Sequence, residues 1–326
     1  MFRCLLDEYS NVMPEEVKVL TFLHLKPELS AFLGSPSWMG TNIQVLTWEE
    51  ASTLVKDINN LPARVLQETG IDLDELKLPW HFVPLIFQVK ARCDLEAVSL
   101  AVGMAEPLRA SLNFALGAGT MYNSFEERKP PAECTGFPLV LMLNDDNSYR
   151  KMAWPRTRAL YRDNPFCSGN RVEYAARVHS KLGLLAGSLQ EVATGVLLKW
   201  QNALDCDETQ LSYLFLWQAL ETAALQGFSH RFLEAGTIVD RIAKLIRARG
   251  YERDLLLGFA SERGRIAHHG SHTESMELYL NVLKIIVERC FSGLALSRRI
   301  RDFDSLLRLY NPKAEVVNRA DRQNGP

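Results

Sequence analysis

The sequence of 326 residues predicts an α+β domain followed by an all-α helical bundle of about five helices. Short apolar segments of β type, separated by turn residues, occupy the first half, whereas longer segments with a helical apolar period occupy the second half. Proline does not occur between Pro165 and Pro312, as expected of a purely helical domain. We therefore assign residues 1–165 to the α+β domain, 166–310 to the bundle and 311–326 to a polar tail.

The composition is that of an ordinary globular protein, with 47% hydrophobic and 23% charged residues and a net charge of −2. The charge is uneven along the chain. Residues 165–326 hold 21 Lys+Arg and 18 Asp+Glu, a net of +3, whereas the remainder holds 16 and 21, a net of −5. The second half is therefore mildly basic, which permits RNA binding without requiring it.

Cysteine usage and hydropathy indicate a cytoplasmic protein in a reducing compartment. The six cysteines are scattered singly and none forms a C-x-x-C pair, so neither a zinc site nor a disulfide framework is expected. The first residues do not read as a secretory signal peptide, because Asp7 and Glu8 follow a short apolar start. No apolar run approaches the roughly 18 residues of a membrane helix, so no membrane partner is expected.

The first domain contains strand-like segments and two helix starts. Thr47 and Glu50 form a capping-box pattern, and Asp94 precedes a long helical apolar stripe, so helices are expected after both positions. Pro84 suggests that the strand around it lies at a sheet edge or contains a bulge. Strands are predicted at residues 17–25, 80–91, 137–143 and 149–154, the last two forming a hairpin.

The bundle is predicted from five helical segments joined by short connections, which favour antiparallel neighbours. A single long helix is expected first, from Asn170 to Trp200. Gly227, Gly250 and Gly270 are the expected stops of the second, third and fourth helices. The predicted helices cover residues 170–200, 211–226, 233–249, 252–270 and 271–299.

The segment from Ser261 to Gly270 carries the strongest chemical signal, because it holds Arg263 and His268 five positions apart. Arginine offers a planar, permanently charged set of donors to phosphate oxygens, and histidine exchanges a proton near neutral pH. On a regular helix the two residues are about 140° apart, but the stop at Gly270 places His268 in a last turn whose geometry can relax. The alternative is that Arg263 pairs a surface acid and that His268 caps the helix end.

Glu221 is the candidate partner of Arg263. It lies in the apolar run from Leu214 to Leu225, and a buried carboxylate is costly unless a cation or hydrogen-bond donors accompany it. Arg263 is the expected cation. The alternative is a partly exposed Glu221 beside Gln218.

The R-x4-6-H spacing, and especially the form Arg263-x-x-Ile-Ala-His268-x-Gly270, resembles the HEPN domains of bacterial abortive-infection proteins. The resemblance covers about residues 170–300. It implies a HEPN-like bundle of about five helices that forms a homodimer and brings two motifs into one cleft. It also implies metal-independent RNA cleavage, in which the 2′-hydroxyl attacks the adjacent phosphorus, His268 moves the proton, Arg263 stabilises the phosphate charge and Glu221 orients Arg263.

The same resemblance implies a setting in defence or toxin-like growth arrest, an antitoxin or trigger molecule as a partner, and a sensing role for residues 1–165. Active members often carry a polar residue after the motif arginine, whereas this chain has Gly264. The alternative function is therefore a non-catalytic HEPN-like module that binds nucleotides or RNA or serves in interactions. No cofactor is expected, and no metal either, because Gly270 interrupts the helix that would align the histidines at 268, 269 and 272.

Basic residues and a second histidine around the motif are the candidate RNA contacts. Arg265 is either a second cation for phosphate or a solvated residue, and His269 is either a spare acid/base or a solvated residue. Arg241, Lys244 and Arg247 form a stripe on the third predicted helix. Such a stripe either tracks an RNA backbone or remains a solvated face.

Overall fold

The structure is a computed structural model in which residues 13–24, 33, 37–38, 41–55, 58–60, 63, 67, 82–118, 140–153, 169–206, 208–226, 234–269 and 276–311 are described. The chain divides into two compact units. One comprises Met1–Leu116 and Glu133–Ser180, and the other comprises Gly117–Ala132 and Lys181–Pro326. The predicted boundary segment, residues 155–169, lies almost wholly outside the described residues.

The first unit contains the strands β1 (Glu15–His24), β2 (Ser37–Trp38), β3 (Thr41–Asn42), β4 (Gln44–Val45), β5 (Phe82–Ala91), β6 (Val140–Leu143) and β7 (Tyr149–Ala153). Five of them form an antiparallel sheet in the order β4-β5-β1-β6-β7, and β2 and β3 pair with each other. The four strands predicted from the sequence are therefore confirmed, as is the hairpin of β6 and β7.

The prediction that Pro84 marks an edge or a bulge was wrong, because β5 lies between β4 and β1 and Pro84 pairs with Phe22 in an unbroken register. The Pro84 carbonyl accepts the N–H of Leu46 at 3.0 Å, one residue beyond the end of β4. In an antiparallel pair the N–H and C=O of one residue face the same neighbour. Proline has no backbone N–H, and at Pro84 this N–H would point toward the end of the short β4. The hydrogen bonds between β5 and β1 therefore do not need it.

Two helices belong mainly to this unit, α1 (Trp48–Leu54) and α2 (Asp94–Gly117). The predicted capping box of α1 is confirmed, since the Thr47 hydroxyl accepts the N–H of Glu50 at 3.1 Å and the Glu50 carboxylate accepts the N–H of Thr47 at 2.7 Å. α1 packs on one face of the sheet. Their shared buried cluster comprises Leu20, Phe22, Leu46, Ala51, Val55, Ile58, Ile86, Leu141 and Leu143.

The described part of the second half of the chain forms the helices α3 (Gly169–Leu184), α4 (Gly187–Leu204), α5 (Thr209–Ala224), α6 (Ala235–Ile246), α7 (Gly250–His269), α8 (Met276–Phe291) and α9 (Phe303–Tyr310). α3 straddles the division between the units, and the later helices belong to the second unit. The prediction of one helix over residues 170–200 was wrong. The chain turns between α3 and α4, where Gly187 adopts a φ of 49° that other residues rarely take.

The junction of α6 and α7 also differs from the prediction that Gly250 ends the third helix. α6 ends at Ile246, and Arg247 takes the left-handed conformation with φ 54°. Gly250 instead begins α7, which ends at His269, beside the predicted stop. The fourth predicted helix is therefore confirmed. The start of the fifth lies outside the described residues, and α8 continues into a π-helical turn at Ser292–Leu296.

The described residues form an α+β mixture that is mostly helical and includes one small antiparallel sheet. This agrees with the predicted fold class at that level. Among the described helices, we find none with the length and apolar character needed to cross a bilayer.

Candidate functional site

Glu221 on α5 and Arg263 on α7 lie against each other. Nη2 of Arg263 is 3.7 Å from Oε1 of Glu221, an ion pair slightly longer than a hydrogen bond. The two side chains are 39% and 23% exposed, so the pair is accessible from solvent. The predicted pairing is confirmed, although Glu221 is half-buried and not fully enclosed.

Trp217 forms a hydrogen bond to the Glu221 carboxylate. Its ring is buried, and its indole N–H donates to the same Oε1 at 2.7 Å. Trp217 precedes Glu221 by four residues, so the two side chains are neighbours on one helix face. The sequence analysis did not assign Trp217 to the site. Its position four residues before Glu221 on the same helix could have indicated the contact. The carboxylate thus has a neutral donor in addition to the cation.

Contacts with α5 and α8 hold α7 in place. The Tyr213 hydroxyl of α5 donates to the Phe259 carbonyl of α7 at 2.8 Å, and burial raises the pKa of Tyr213, so this group stays a neutral donor. At the start of α7, Glu252 pairs with Arg289 of α8, whose Nη2 also donates to the Ile246 carbonyl at 3.0 Å. Phe259, four residues before Arg263, is therefore tied to α5, and the start of α7 is tied to α8.

His268 lies in the last turn of α7 and is exposed. Five residues of a regular helix separate it from Arg263 by about 140° and roughly 7.5 Å along the axis. The burial pattern agrees, because Arg263 is half-buried beside α5 whereas Ala267 and His268 face solvent. Within the described residues, we find no hydrogen bond from His268. A single chain therefore joins Arg263 to Glu221 but does not turn His268 toward them.

Arg241 is not part of an exposed basic stripe, so its predicted RNA contact was wrong. Its side chain is only 3% exposed. Nη1 donates to the carbonyls of Ala224 at 2.5 Å and Gln226 at 2.8 Å, and the guanidinium lies 4.8 Å from the ring centroid of Tyr310. The Ala224 carbonyl belongs to the last residue of α5, where helix carbonyls lack a partner within the helix, and Gln226 lies two residues further on. Arg241 therefore satisfies the C-terminal end of the helix that carries Glu221.

The remaining candidate cations are at the surface. Lys244 and Arg247 are exposed, and Nζ of Lys244 donates to the Tyr310 carbonyl at 3.1 Å. Arg265 is also exposed, and its Nη1 lies 3.3 Å from the buried carboxylate of Glu262. The side chain of His269 lies outside the described part of the structure. Three of the predicted RNA contacts are thus open to a polyanion.

Lys284 and Glu288 form a buried ion pair that sequence reasoning missed. They lie four residues apart on α8, and the Trp200 indole N–H donates to Glu288 at 3.2 Å. Lys284 also donates to the Gly117 carbonyl at 2.8 Å. Burial lowers the pKa of Lys284, while the adjacent carboxylate acts in the opposite direction. The sequence could have indicated this pair, because it places opposite charges four residues apart in an apolar helix. Both side chains are buried, which indicates a structural role.

The described residues include no group of three or more His, Cys, Asp and Glu side chains that could hold a metal ion. His272 lies outside these residues. The charged neighbour of Glu221 is Arg263, whose guanidinium is a group that recognises carboxylates and phosphates.

Comparison of the chain with protein-family models, with curated proteins and with solved structures finds no match. The functional assignment therefore depends on the side chains themselves. These are the half-exposed Arg263, its partner Glu221 and the exposed His268, which lies on the same helix as Arg263.

Proposed function

We propose that the helical unit is a metal-independent endoribonuclease of the HEPN type. The contact between Glu221 and Arg263 carries the proposal, because it presents an oriented guanidinium at the surface of the helix that also bears His268. Trp217 holds the carboxylate by its indole N–H. Arg263 is therefore preorganised for an anion, which an unattached surface arginine is not.

The proposed reaction is a transesterification within RNA. The 2′-hydroxyl oxygen forms a bond to the adjacent phosphorus while its proton passes to His268, and the bond from phosphorus to the 5′-oxygen breaks. The leaving 5′-oxygen takes a proton from solvent, so the products carry a 2′,3′-cyclic phosphate and a 5′-hydroxyl. Arg263 stabilises the charge that develops on the non-bridging oxygens, and Glu221 keeps the guanidinium oriented.

The proposal extends to the surroundings of the site. Lys244, Arg247, Arg265 and His269 are the proposed contacts to the RNA backbone, and each phosphate contact makes binding weaker as salt rises. The resemblance to HEPN domains supports a homodimer through the helical unit and a role in defence or growth arrest. In that role the first unit responds to a trigger or an antitoxin.

The test is incubation of the purified full chain with total cellular RNA in EDTA. We expect the wild type to cleave RNA and His268→Ala and Arg263→Ala each to lower the rate by at least 100-fold, the usual contribution of such a group. Arg177→Ala is the matched control, because Arg177 is an exposed, ion-paired arginine on α3. End-group analysis is expected to find the cyclic phosphate.

Cleavage that survives His268→Ala, or that requires a divalent ion, would contradict this mechanism. Circular dichroism of each variant separates loss of chemistry from loss of fold. His268 and Arg263 are not fully buried, so the variants are expected to fold.

A non-catalytic binding module is the second candidate, and Gly264 favours it. A Cβ at this position would meet no described atom within 4 Å, so no contact in the described part of the chain requires a glycine beside Arg263. A polar catalytic side chain would fit there, but the chain lacks one. Wild-type protein that leaves RNA intact, but retains RNA or nucleotides in an Arg263-dependent way, would establish this function instead.

A further inference from the structure

The outward face of α5 continues from Glu221 toward α4. Gln218 precedes Glu221 by three residues, and Phe215 precedes Gln218 by three, so consecutive members of this row are neighbours on the helix surface. The side chain of Gln218 is exposed, and those of Phe215 and Glu221 are half-buried. The row therefore leads away from the contact between Glu221 and Arg263 along about 9 Å of the helix.

A second cation lies at the far end of this row. Nζ of Lys199 on α4 is 5.8 Å from the ring centroid of Phe215, near the outer limit of a cation–π contact. The side chain of Lys199 forms no ion pair with a described residue. The row thus has a cation at each end, Lys199 and Arg263, and one carboxylate, Glu221, so its net charge is positive.

Close packing of α4 on α5 fixes this second cation. A Cβ at Gly195 would meet Cγ2 of Thr222 at 3.0 Å, so the two helices approach where Gly195 has no side chain. Lys199 follows Gly195 by four residues and lies one turn along the same face of α4. Phe215 lies two turns before Thr222 on the matching face of α5. The same contact between the helices therefore brings the lysine over the phenylalanine.

We propose that Phe215, Gln218 and Lys199 form a nucleotide subsite beside the cleavage site, a proposal that takes from the proposed function only that the ligand is RNA. An unstacked base lies on the ring of Phe215, and the amide of Gln218 contacts the edge of that base. The ammonium of Lys199 binds a phosphate next to this nucleotide, while Arg263 binds the phosphate that is cleaved.

Binding exchanges one weak contact for stronger ones. A cation–π contact near the surface contributes less than the stacking of a base on an aromatic ring, and the flexible lysine stem lets its ammonium leave the ring for a phosphate. The amide of Gln218 has donor and acceptor groups, so it distinguishes bases by the groups at their edges. A duplex does not use this subsite, because its bases remain stacked on one another.

The test measures the affinity of the full chain for a short single-stranded RNA by fluorescence anisotropy. The 2′-hydroxyls of this RNA are methylated, so the proposed reaction does not cut it during the measurement. Phe215→Leu keeps an apolar side chain but removes the aromatic face, and we expect it to weaken binding roughly 5- to 100-fold. Phe215→Tyr keeps the ring and is expected to bind like the wild type.

Tyr251→Leu is the matched control for the aromatic substitution. Tyr251 is 61% exposed at the start of α7, about 18 Å along that helix from Arg263, so its loss is expected to leave the affinity unchanged. A duplex of the same RNA sequence is expected to bind the wild type and Phe215→Leu equally.

The other two residues of the subsite have separate readouts. Lys199→Gln is expected to reduce the slope of log affinity against log salt by about 0.7, the value for one phosphate contact to a single strand, whereas Phe215→Leu leaves the slope unchanged. Lys181→Gln, at an exposed lysine on α3, is the control for the loss of charge. Gln218→Ala is expected to change the order of affinities among RNA homopolymers.

A wild type that does not bind the single-stranded RNA overturns the proposal, as does a folded Phe215→Leu protein with wild-type affinity. If Phe215→Leu fails to fold, an unchanged salt slope in Lys199→Gln and an unchanged base preference in Gln218→Ala overturn it instead. Cleavage of unmethylated RNA is measured on the same proteins. Binding that depends on the ring, without any cleavage, keeps the subsite and removes the ribonuclease, whereas cleavage with ring-independent binding does the reverse.

Discussion

At the scale of single residues, the candidate site is organised around one oxygen atom. Oε1 of Glu221 accepts the indole N–H of Trp217 at 2.7 Å and lies 3.7 Å from Nη2 of Arg263. The first contact is local, because four helical positions separate the two residues. The second joins α5 to α7. It was predictable because a carboxylate in an apolar run requires a cation.

Trp217→Phe removes the indole donor while keeping most of the apolar packing. We expect the free energy of unfolding to fall by about 1–2 kcal/mol, because a hydrogen bond to a charged group is lost. If Glu221 orients Arg263, the kcat for RNA cleavage falls as well. Glu221→Gln, which retains an acceptor for Trp217, is expected to lose activity with a smaller loss of stability. Urea unfolding and initial cleavage rates measure both effects, and a Trp217→Phe protein with wild-type stability would contradict the assigned contact.

The arginines show why a residue type alone does not give a role. Arg241 and Arg263 both lie on helices of the second unit, yet Arg241 is buried against the end of α5 and Arg263 is open to solvent. A long side chain can direct its charged head to water or to unpaired helix carbonyls. Which of the two occurs depends on whether a helix end packs beside the arginine. The local sequence around the arginine does not contain that information.

At the scale of elements, helix existence was easier to predict than helix ends. The apolar spacing of Leu182, Leu185 and Leu189 continues across the break between α3 and α4, so periodicity alone does not distinguish one helix from two. Gly187 supplies the turn. The α6 end was similarly misplaced, because Arg247 and not Gly250 takes the left-handed position. The capping box at Thr47 was predictable because its contacts span only three residues.

The start of α7 gives a pH-dependent prediction. Hydrogen bonds from the Arg289 side chain and from the Arg249 backbone N–H hold the pKa of Glu252 below its ordinary value of 4.5. A lowered carboxyl pKa contributes stability that is complete above about pH 4.5 and is lost as the pH falls through the folded-state value. Glu252→Gln is therefore expected to be less stable than the wild type at pH 7, and this difference is expected to shrink below pH 4.5.

Thermal unfolding of the wild type and Glu252→Gln between pH 3 and pH 8 measures this difference. Glu173→Gln on α3 is the control, since the Glu173 pair with Arg177 is exposed on both sides and is expected to contribute little. A stability difference that is the same at pH 3 and pH 7 would show that Glu252 acts by packing and not by charge.

At the scale of the whole molecule, the chain divides into two compact units, and each contains fully buried apolar residues. Leu20 lies in the sheet cluster of the first unit, and Leu216 is buried on α5 of the second. Neither side chain is exposed at all. We therefore expect the two units to unfold as distinguishable steps and not as one two-state transition.

Leu20→Ala and Leu216→Ala test this expectation as a matched pair. Each truncation is expected to cost about 2–5 kcal/mol in its own unit, because it removes apolar contacts and leaves a cavity. Hydrogen exchange followed by mass spectrometry is expected to show lost protection in β1 and β5 for the first variant and in α4 and α5 for the second. Equal loss of protection in both units from either variant would mean that they unfold together.

The sequence by itself determined the α+β order of segments, the strands and hairpin of the sheet, and the helix that carries Arg263 and His268. These depend on apolar period, turn residues and caps, which act over a few residues. Only the tertiary structure decided that Arg241 is buried against the carbonyls of Ala224 and Gln226, and that Tyr213 of α5 donates to the Phe259 carbonyl of α7. Those outcomes depend on which helices pack together, and packing is set by contacts between residues far apart in the chain.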